Sequence, residues 1–191
     1  MKKTSKPPVT VFVALLRAVN VGGKNIISMP ALKASFEKIG FTGVTTYINS
    51  GNVIFKTKEV DQRKIERNIE GMLSKDYHLE SKVVVRNLSE MANLVASLPA
   101  SWNGDPRYKY NVIFLRHSID SEEILNRLSP NPEVEEVTYR SGALLWSAQI
   151  SNLPRTDMLK VSGQKIYQEV TIRNLNTTRK LLDLMTKIAS A

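Results

Sequence analysis

Apolar and polar positions alternate along the chain in short blocks, each with the period of a strand or a helix. Thr10 to Leu16 is apolar on both alternating faces, with Val11, Val13 and Leu15 on one and Phe12, Ala14 and Leu16 on the other. A strand of that kind is buried on both sides and lies centrally in its sheet. Ser28 is placed to cap a helix with Pro30 in its first turn; Leu32, Phe36 and Ile39 follow at helical spacing, and Gly40 stops it. Residues 44–48 and 53–55 predict two strands joined by a turn at Asn49-Ser50-Gly51-Asn52. Residues 61–75 form a helix with Ile65, Ile69 and either Met72 or Leu73 inward, residues 82–86 a strand, and residues 88–98 a helix capped by Ser89.

The loop Pro99 to Pro106 marks a boundary. Beyond it the pattern predicts a strand at 110–115, a helix at 121–128 and strands at 135–139 and 143–147 around Arg140-Ser141-Gly142. A loop at 152–156, a helix at 157–167 weakened by Gly163, and a strand at 169–172 follow. A terminal helix at 176–189 turns Leu181, Leu182, Met185 and Ile188 inward. The order β-α-β-β-α-β therefore occurs twice. The expected fold class is α+β: two ferredoxin-like βαββαβ halves in tandem with an extra C-terminal helix. The expected divisions are a basic tail (1–8), a first half (9–98), a connecting loop (99–109) and a second half with the terminal helix (110–191). The repetition is one of element order. In sequence, residues 47–55 and 139–146 share a Ser-Gly turn between strands, and no further repeat is evident.

With 191 residues and 42% hydrophobic content, the chain has ample material for a core. A net charge of +9 favours anionic partners through long-range attraction. The absence of cysteine excludes disulfides, thiolate metal sites and cysteine nucleophiles, and with only His78 and His117 a histidine-based metal site would need carboxylates to complete it. No metal and no cofactor is expected. The lysine-bearing start and the apolar run after it superficially resemble a signal peptide. Pro7-Pro8 separates the two, Arg17 ends the run at once, and no stretch reaches the roughly 18–20 apolar residues of a membrane span. The expectation is a cytoplasmic protein without a membrane segment.

Three stretches carry a more specific pattern: Leu16-Arg17-Ala18-Val19-Asn20-Val21-Gly22-Gly23-Lys24-Asn25 with Met29 and Leu32, then Thr46-Tyr47-Ile48-Asn49-Ser50-Gly51-Asn52-Val53, and finally Thr171-Ile172-Arg173-Asn174 with Asn176-Thr177. Together they resemble the bacterial "domain of unknown function 1697" family. The resemblance spans Val11 to about Leu184, with three separated motifs in the right order. Ala18 stands where that family often has glycine, and Leu175 where it often has an aromatic. The resemblance implies the α+β fold and no particular activity.

The motif loops, residues 17–25, 49–52 and 173–178, are rich in Asn, Arg, Ser, Thr and Gly and hold neither carboxylate nor histidine. Their candidate ligand-binding residues are Arg17, Asn20, Gly22, Gly23, Lys24, Asn25, Asn49, Ser50, Asn52, Arg173, Asn174, Asn176 and Thr177. Asn174, Asn176 or Thr177 caps the terminal helix, and Arg173 beside that N-terminus makes an anion site. The pair Gly22-Gly23 can form an anion nest. The stretch lacks the leading glycine and the hydroxyl of a P-loop, which rejects Walker-type hydrolysis. Arg17, ending a doubly buried strand, needs a partner. Each motif also has a structural use, as a helix cap, a turn or a salt bridge. Ser50 has no neighbouring base to activate it. A second group, Trp102, Tyr108 and Tyr110 with Arg107 and Lys109, is either a tryptophan-anchored loop or a nucleic-acid surface.

The expectation from these loops is an anionic small molecule, such as a phosphorylated metabolite, or a nucleic acid, held in a cleft where the three loops meet. Nucleic acid is not favoured, since the strands corresponding to an RNA-recognition sheet offer only Phe12 and Phe55. Two alternatives stand beside it. One is an enzyme of unknown reaction using Arg17, Lys24 and Arg173 against developing negative charge. The other is a structural or oligomerisation module with no small ligand.

Overall fold

A computed structural model describes residues 8–20, 26–157 and 165–190. The chain forms two compact units: Met1–Ser89 with Asp183–Ala191, and Glu90–Leu182.

The first unit contains β1 (Thr10–Leu16), α1 (Met29–Lys38), β2 (Thr42–Tyr47), β3 (Asn52–Thr57), α2 (Gln62–Tyr77) and β4 (Val83–Asn87). Its sheet runs β2-β3-β1-β4, entirely antiparallel, which is the ferredoxin-like order. The doubly apolar β1 lies inside the sheet, and Phe12 to Leu16 are buried on both faces. The hydroxyl of Ser28 accepts from the Ala31 N–H at 3.3 Å to start α1. Asp61 caps α2 by accepting from Arg63 and Lys64. Both Met72 and Leu73 face in, so the open choice between them resolves to both. One core cluster joins the helices to the sheet through Phe12, Phe36, Phe41 and Phe55, and the Phe41 and Phe55 rings lie 4.3 Å apart. The carboxylates of Glu66 and Glu70 accept from Val85 and Val83, closing the outer edge of β4 with α2.

The helix α3 (Leu88–Ala96) follows β4 without a gap. It starts at Leu88, so Ser89 lies inside its first turn and is not the cap. The second unit continues with β5 (Tyr108–Leu115), α4 (Ile124–Leu128), β6 (Glu135–Arg140), β7 (Ala143–Gln149) and β8 (Val170–Asn174), and its sheet is β6-β7-β5-β8, again all antiparallel. The long helix α5 (Leu175–Ala189) starts in this unit.

The second unit is the less regular. The helix expected over 121–128 is confined to Ile124–Leu128, because residues 121–126 close i→i+3 turns (Ile124 to Ser121, Leu125 to Glu122, Asn126 to Glu123) before an α-turn can form. The loop expected at 152–156 is mostly a 3₁₀ helix, Ile150–Arg155. Of the helix expected at 157–167, residues 158–164 lie outside the described residues, and Lys165–Tyr167 belong to a 3₁₀ helix, Lys165–Glu169. Here the irregular backbone is fastened by Glu135. Its 4%-exposed carboxylate accepts from the N–H groups of Asn131 (2.8 Å) and Asp157 (2.9 Å) and from the indole N–H of Trp146 (2.7 Å).

Candidate functional site

The first unit brings two of the three polar motifs together. The Leu16 N–H donates to Gly51 O at 2.8 Å, tying the end of β1 to the hairpin turn between β2 and β3. That turn needs its glycine: Gly51 has φ +71°, and a Cβ there would lie 2.8 Å from Leu16 Cβ. Asn52, fully buried, donates to Tyr47 O and Ser50 Oγ and shapes the turn from inside. Asn20 then clamps the loop that leaves β1. Its Oδ1 accepts from Ile27 N–H at 2.7 Å, and its Nδ2 donates to Ile27 O at 2.9 Å and to Asn49 O at 3.0 Å. Asn20 adopts φ 55°, a left-handed conformation that asparagine tolerates better than most side chains.

Arg17 is half-buried at the end of β1, and its carbonyl accepts from Ser81 Oγ. Beside this corner is a hollow of about 530 Å³ lined by Asn20, Ile26, Ser28, Met29, Pro30 and Asn49. Its rim is apolar, with Ile26 81% exposed. Gly22, Gly23, Lys24 and Asn25 lie outside the described residues.

The third motif belongs to the second unit. Asn174 is the residue that caps α5: its Oδ1 accepts from Thr177 N–H at 2.7 Å, and its carbonyl accepts from Thr178 Oγ1 at 3.0 Å. Thr177 is buried and Asn176 exposed. Arg173 donates from one guanidinium nitrogen to Thr171 Oγ1 (2.9 Å) and Ile172 O (2.8 Å). Desolvation pushes its pKa down to about 10.

Register exposes a repeat. Arg86 pairs with Val13 on the central strand of one sheet and Arg173 with Val112 on that of the other. Each arginine donates to the carbonyl of the residue before it at 2.8 Å, and each opens the same Arg-Asn-Leu start of a helix. The same offset places Leu115 N–H on Gly142 O at 2.9 Å, the counterpart of Leu16 on Gly51, and makes Arg116 the counterpart of Arg17. At that second corner the chain supplies its own anions. Arg116 meets Glu169 at 3.4 Å, Ser118 donates to the same carboxylate, and Asp120 Oδ1 accepts from Gly142 N–H (2.8 Å) and the Tyr139 hydroxyl (3.0 Å).

Composition carries a signal that overall charge hides. Residues 1–58 hold nine of the 27 lysines and arginines but only one of the 18 carboxylates, Glu37. Eight of the nine net positive charges therefore come from this segment, which includes the first corner. The two phenylalanines weighed for base stacking are both buried, Phe12 at 2% and Phe55 at 0%, and neither offers a ring face to a base. Among the described residues no helix is long and apolar enough to cross a membrane.

The family model "Protein of unknown function (DUF1697)" matches residues 9–146. The chain belongs to this family. Among solved structures, the conserved bacterial protein SP0830 from Streptococcus pneumoniae is 23% identical, covering 93% of this chain and 99% of that one, with a TM-score of 0.82; it shares the fold. An unknown protein from Galdieria sulphuraria, 14% identical over 87% of this chain and 98% of its own, superposes with a TM-score of only 0.27. No curated protein matches the chain.

Proposed function

We propose that this member of the DUF1697 family is a cytoplasmic binding protein for an anionic ligand, a phosphorylated metabolite or a nucleic acid, held at the corner where β1 leaves for α1. The observation that carries the proposal is the charge distribution: a surplus of eight cations in residues 1–58, with no carboxylate in the loop or turn that form the corner. The contrast with the second unit supports it, since the matching corner there is occupied by Asp120 and Glu169 of the chain itself. Arg17 and Lys24 are the cations assigned to the ligand, with Gly22, Gly23, Asn25, Asn49 and Ser50 around it. Asn20 and Asn52 hold the frame, because their amides are engaged with backbone and turn groups. Arg173, beside the N-terminus of α5 in the second unit, is the further cation proposed for an anion.

A second reading, in which the motifs are only scaffolding, is favoured by the same engaged amides and by Asn174 acting as a plain cap. A thermal-shift screen with inorganic phosphate, nucleotides, sugar phosphates and short oligonucleotides separates the two. Ligand-dependent stabilisation in the wild type that is lost in folded Arg17→Ala and Lys24→Ala variants supports the anion site. No stabilisation by any anion, with Arg17→Ala simply less stable, supports the scaffold. A salt-steep preference for oligonucleotides over mononucleotides identifies nucleic acid.

A further inference from the structure

On the second unit, the polar end of the sheet has a chemistry opposite to that of the first corner. Three hollows, of about 480, 300 and 160 Å³, adjoin there, and Tyr108 lines all of them. The middle one is walled by Trp102, Tyr108 and Tyr110. The Tyr108 and Tyr110 rings stack at 5.9 Å and 17°, and Trp102 lies 5.2 Å from Tyr110. Strand register sets one polar row across the sheet, Tyr110 opposite Ser147 and Ser147 opposite Glu136, and all three line this hollow.

Ser147 is 5% exposed, and among the described residues neither its hydroxyl nor the Glu136 carboxylate has a hydrogen-bond or ion-pair partner. Among the described residues lining this hollow the cation is Arg107, already forked onto Asp105 through contacts of 3.1 and 2.6 Å. That pairing leaves Glu136 as the uncompensated charge. The smallest hollow adds Glu133 and Glu135 and has no lysine or arginine in its wall. In a chain of net charge +9, this face carries carboxylates in excess of cations.

We propose that this face binds an organic cation of the guanidinium class. A guanidinium is planar, so it stacks on the Tyr108 ring. It also carries several N–H donors in one plane, and the wall offers acceptors on Glu136, Ser147 and Tyr110. Arg107 forked onto Asp105 at the same rim shows a guanidinium held by a carboxylate there. The group can come from a free guanidino metabolite or from an arginine side chain of another polypeptide, and the chemistry recognised is the same.

The test is a titration of the full chain followed by amide chemical shifts, with methylguanidinium, propylammonium and a blocked arginine-containing tripeptide as probes. The expected result is saturable binding of methylguanidinium with shifts centred on residues 108, 110, 136 and 147. Glu136→Gln and Tyr108→Leu should each weaken it by at least about tenfold, and Glu122→Gln, elsewhere in the unit, should leave it unchanged. The wild-type spectrum away from the hollow shows whether each variant is folded. Tighter binding of the tripeptide than of methylguanidinium assigns the site to a polypeptide arginine, and equal or weaker binding to a small guanidino compound. Absence of saturable binding, equal affinity in Glu136→Gln, or propylammonium binding as well as methylguanidinium would overturn the proposal.

Discussion

In the first unit the loop leaving β1 reaches its hairpin turn through an amide, Asn20 donating to Asn49 O; in the second the loop leaving β5 does so through a carboxylate, Asp120 accepting from Gly142 N–H. The register of the central strand on its hairpin partner and the tie from strand end to turn glycine are the same in both. What differs is the sign of the group that completes the corner. The two corners share a frame and differ where they meet solvent: the second holds Asp120 and Glu169, and the loop and turn of the first contain no carboxylate. Loops positioned by a rigid scaffold are where such divergence is tolerated.

The largest expected effect tests how far the second unit depends on its carboxylates. Glu135→Ala strips three N–H groups of their acceptor and should cost roughly 4 kcal/mol, read from denaturant unfolding with an unchanged m-value. A loss below about 1 kcal/mol would mean that water or a neighbouring group replaces it. Next comes a reciprocal exchange. Asn20→Asp sets a carboxylate against two carbonyl oxygens and should cost about 2 kcal/mol, whereas Asp120→Asn keeps an acceptor for Gly142 and should cost about 1 kcal/mol. Equal losses would break the claim that the two ties differ in polarity.

The smallest effect is alkaline. Burial first, and then the hydrogen bond to Asp120, hold the Tyr139 phenol above the usual tyrosine range. A pKa raised by folding gives stability that is whole below the unfolded pKa and is lost as pH rises through the folded one. Tyr139→Phe should therefore flatten the fall in stability above about pH 10, by less than about 1 kcal/mol after solvent screening. An unchanged alkaline slope would remove Tyr139 from the account.

Much of the first unit was legible in the sequence because local signals agreed with tertiary demand. The double apolar face of β1, the Ser28 cap and the Ile65–Ile69 stripe each had one reading, and the structure keeps them. In the second unit local and tertiary signals diverge. Glu122 and Glu123 suit the first turn of a helix, yet the chain turns more tightly there. Lys165–Tyr167 have helical spacing but lie in a 3₁₀ segment running directly into β8.

The Arg-Asn-Leu repeat at 86–88 and 173–175 went unseen because three shared residues mean little until strand register gives them the same address. Of the candidate site, composition marked the loops that hold Asn20 and Asn49 as alike, and the structure joins those two residues by a hydrogen bond. The use of Asn20, Asn52 and Asn174 as internal fasteners was not, since a side-chain amide bonds equally well to ligand or backbone. The charge excess of residues 1–58 was open to inspection and hidden only by averaging over the chain.

The division of α5 has a consequence in time. The first unit is not a continuous stretch: Met1–Ser89 is completed by Asp183–Ala191, which are translated only after the whole of Glu90–Leu182. Domains generally fold from the N-terminus as they emerge. Here the order is reversed. The second unit is the first to have all its residues outside the ribosome, whereas the first has its whole four-stranded sheet early and receives Asp183–Ala191 only at the end.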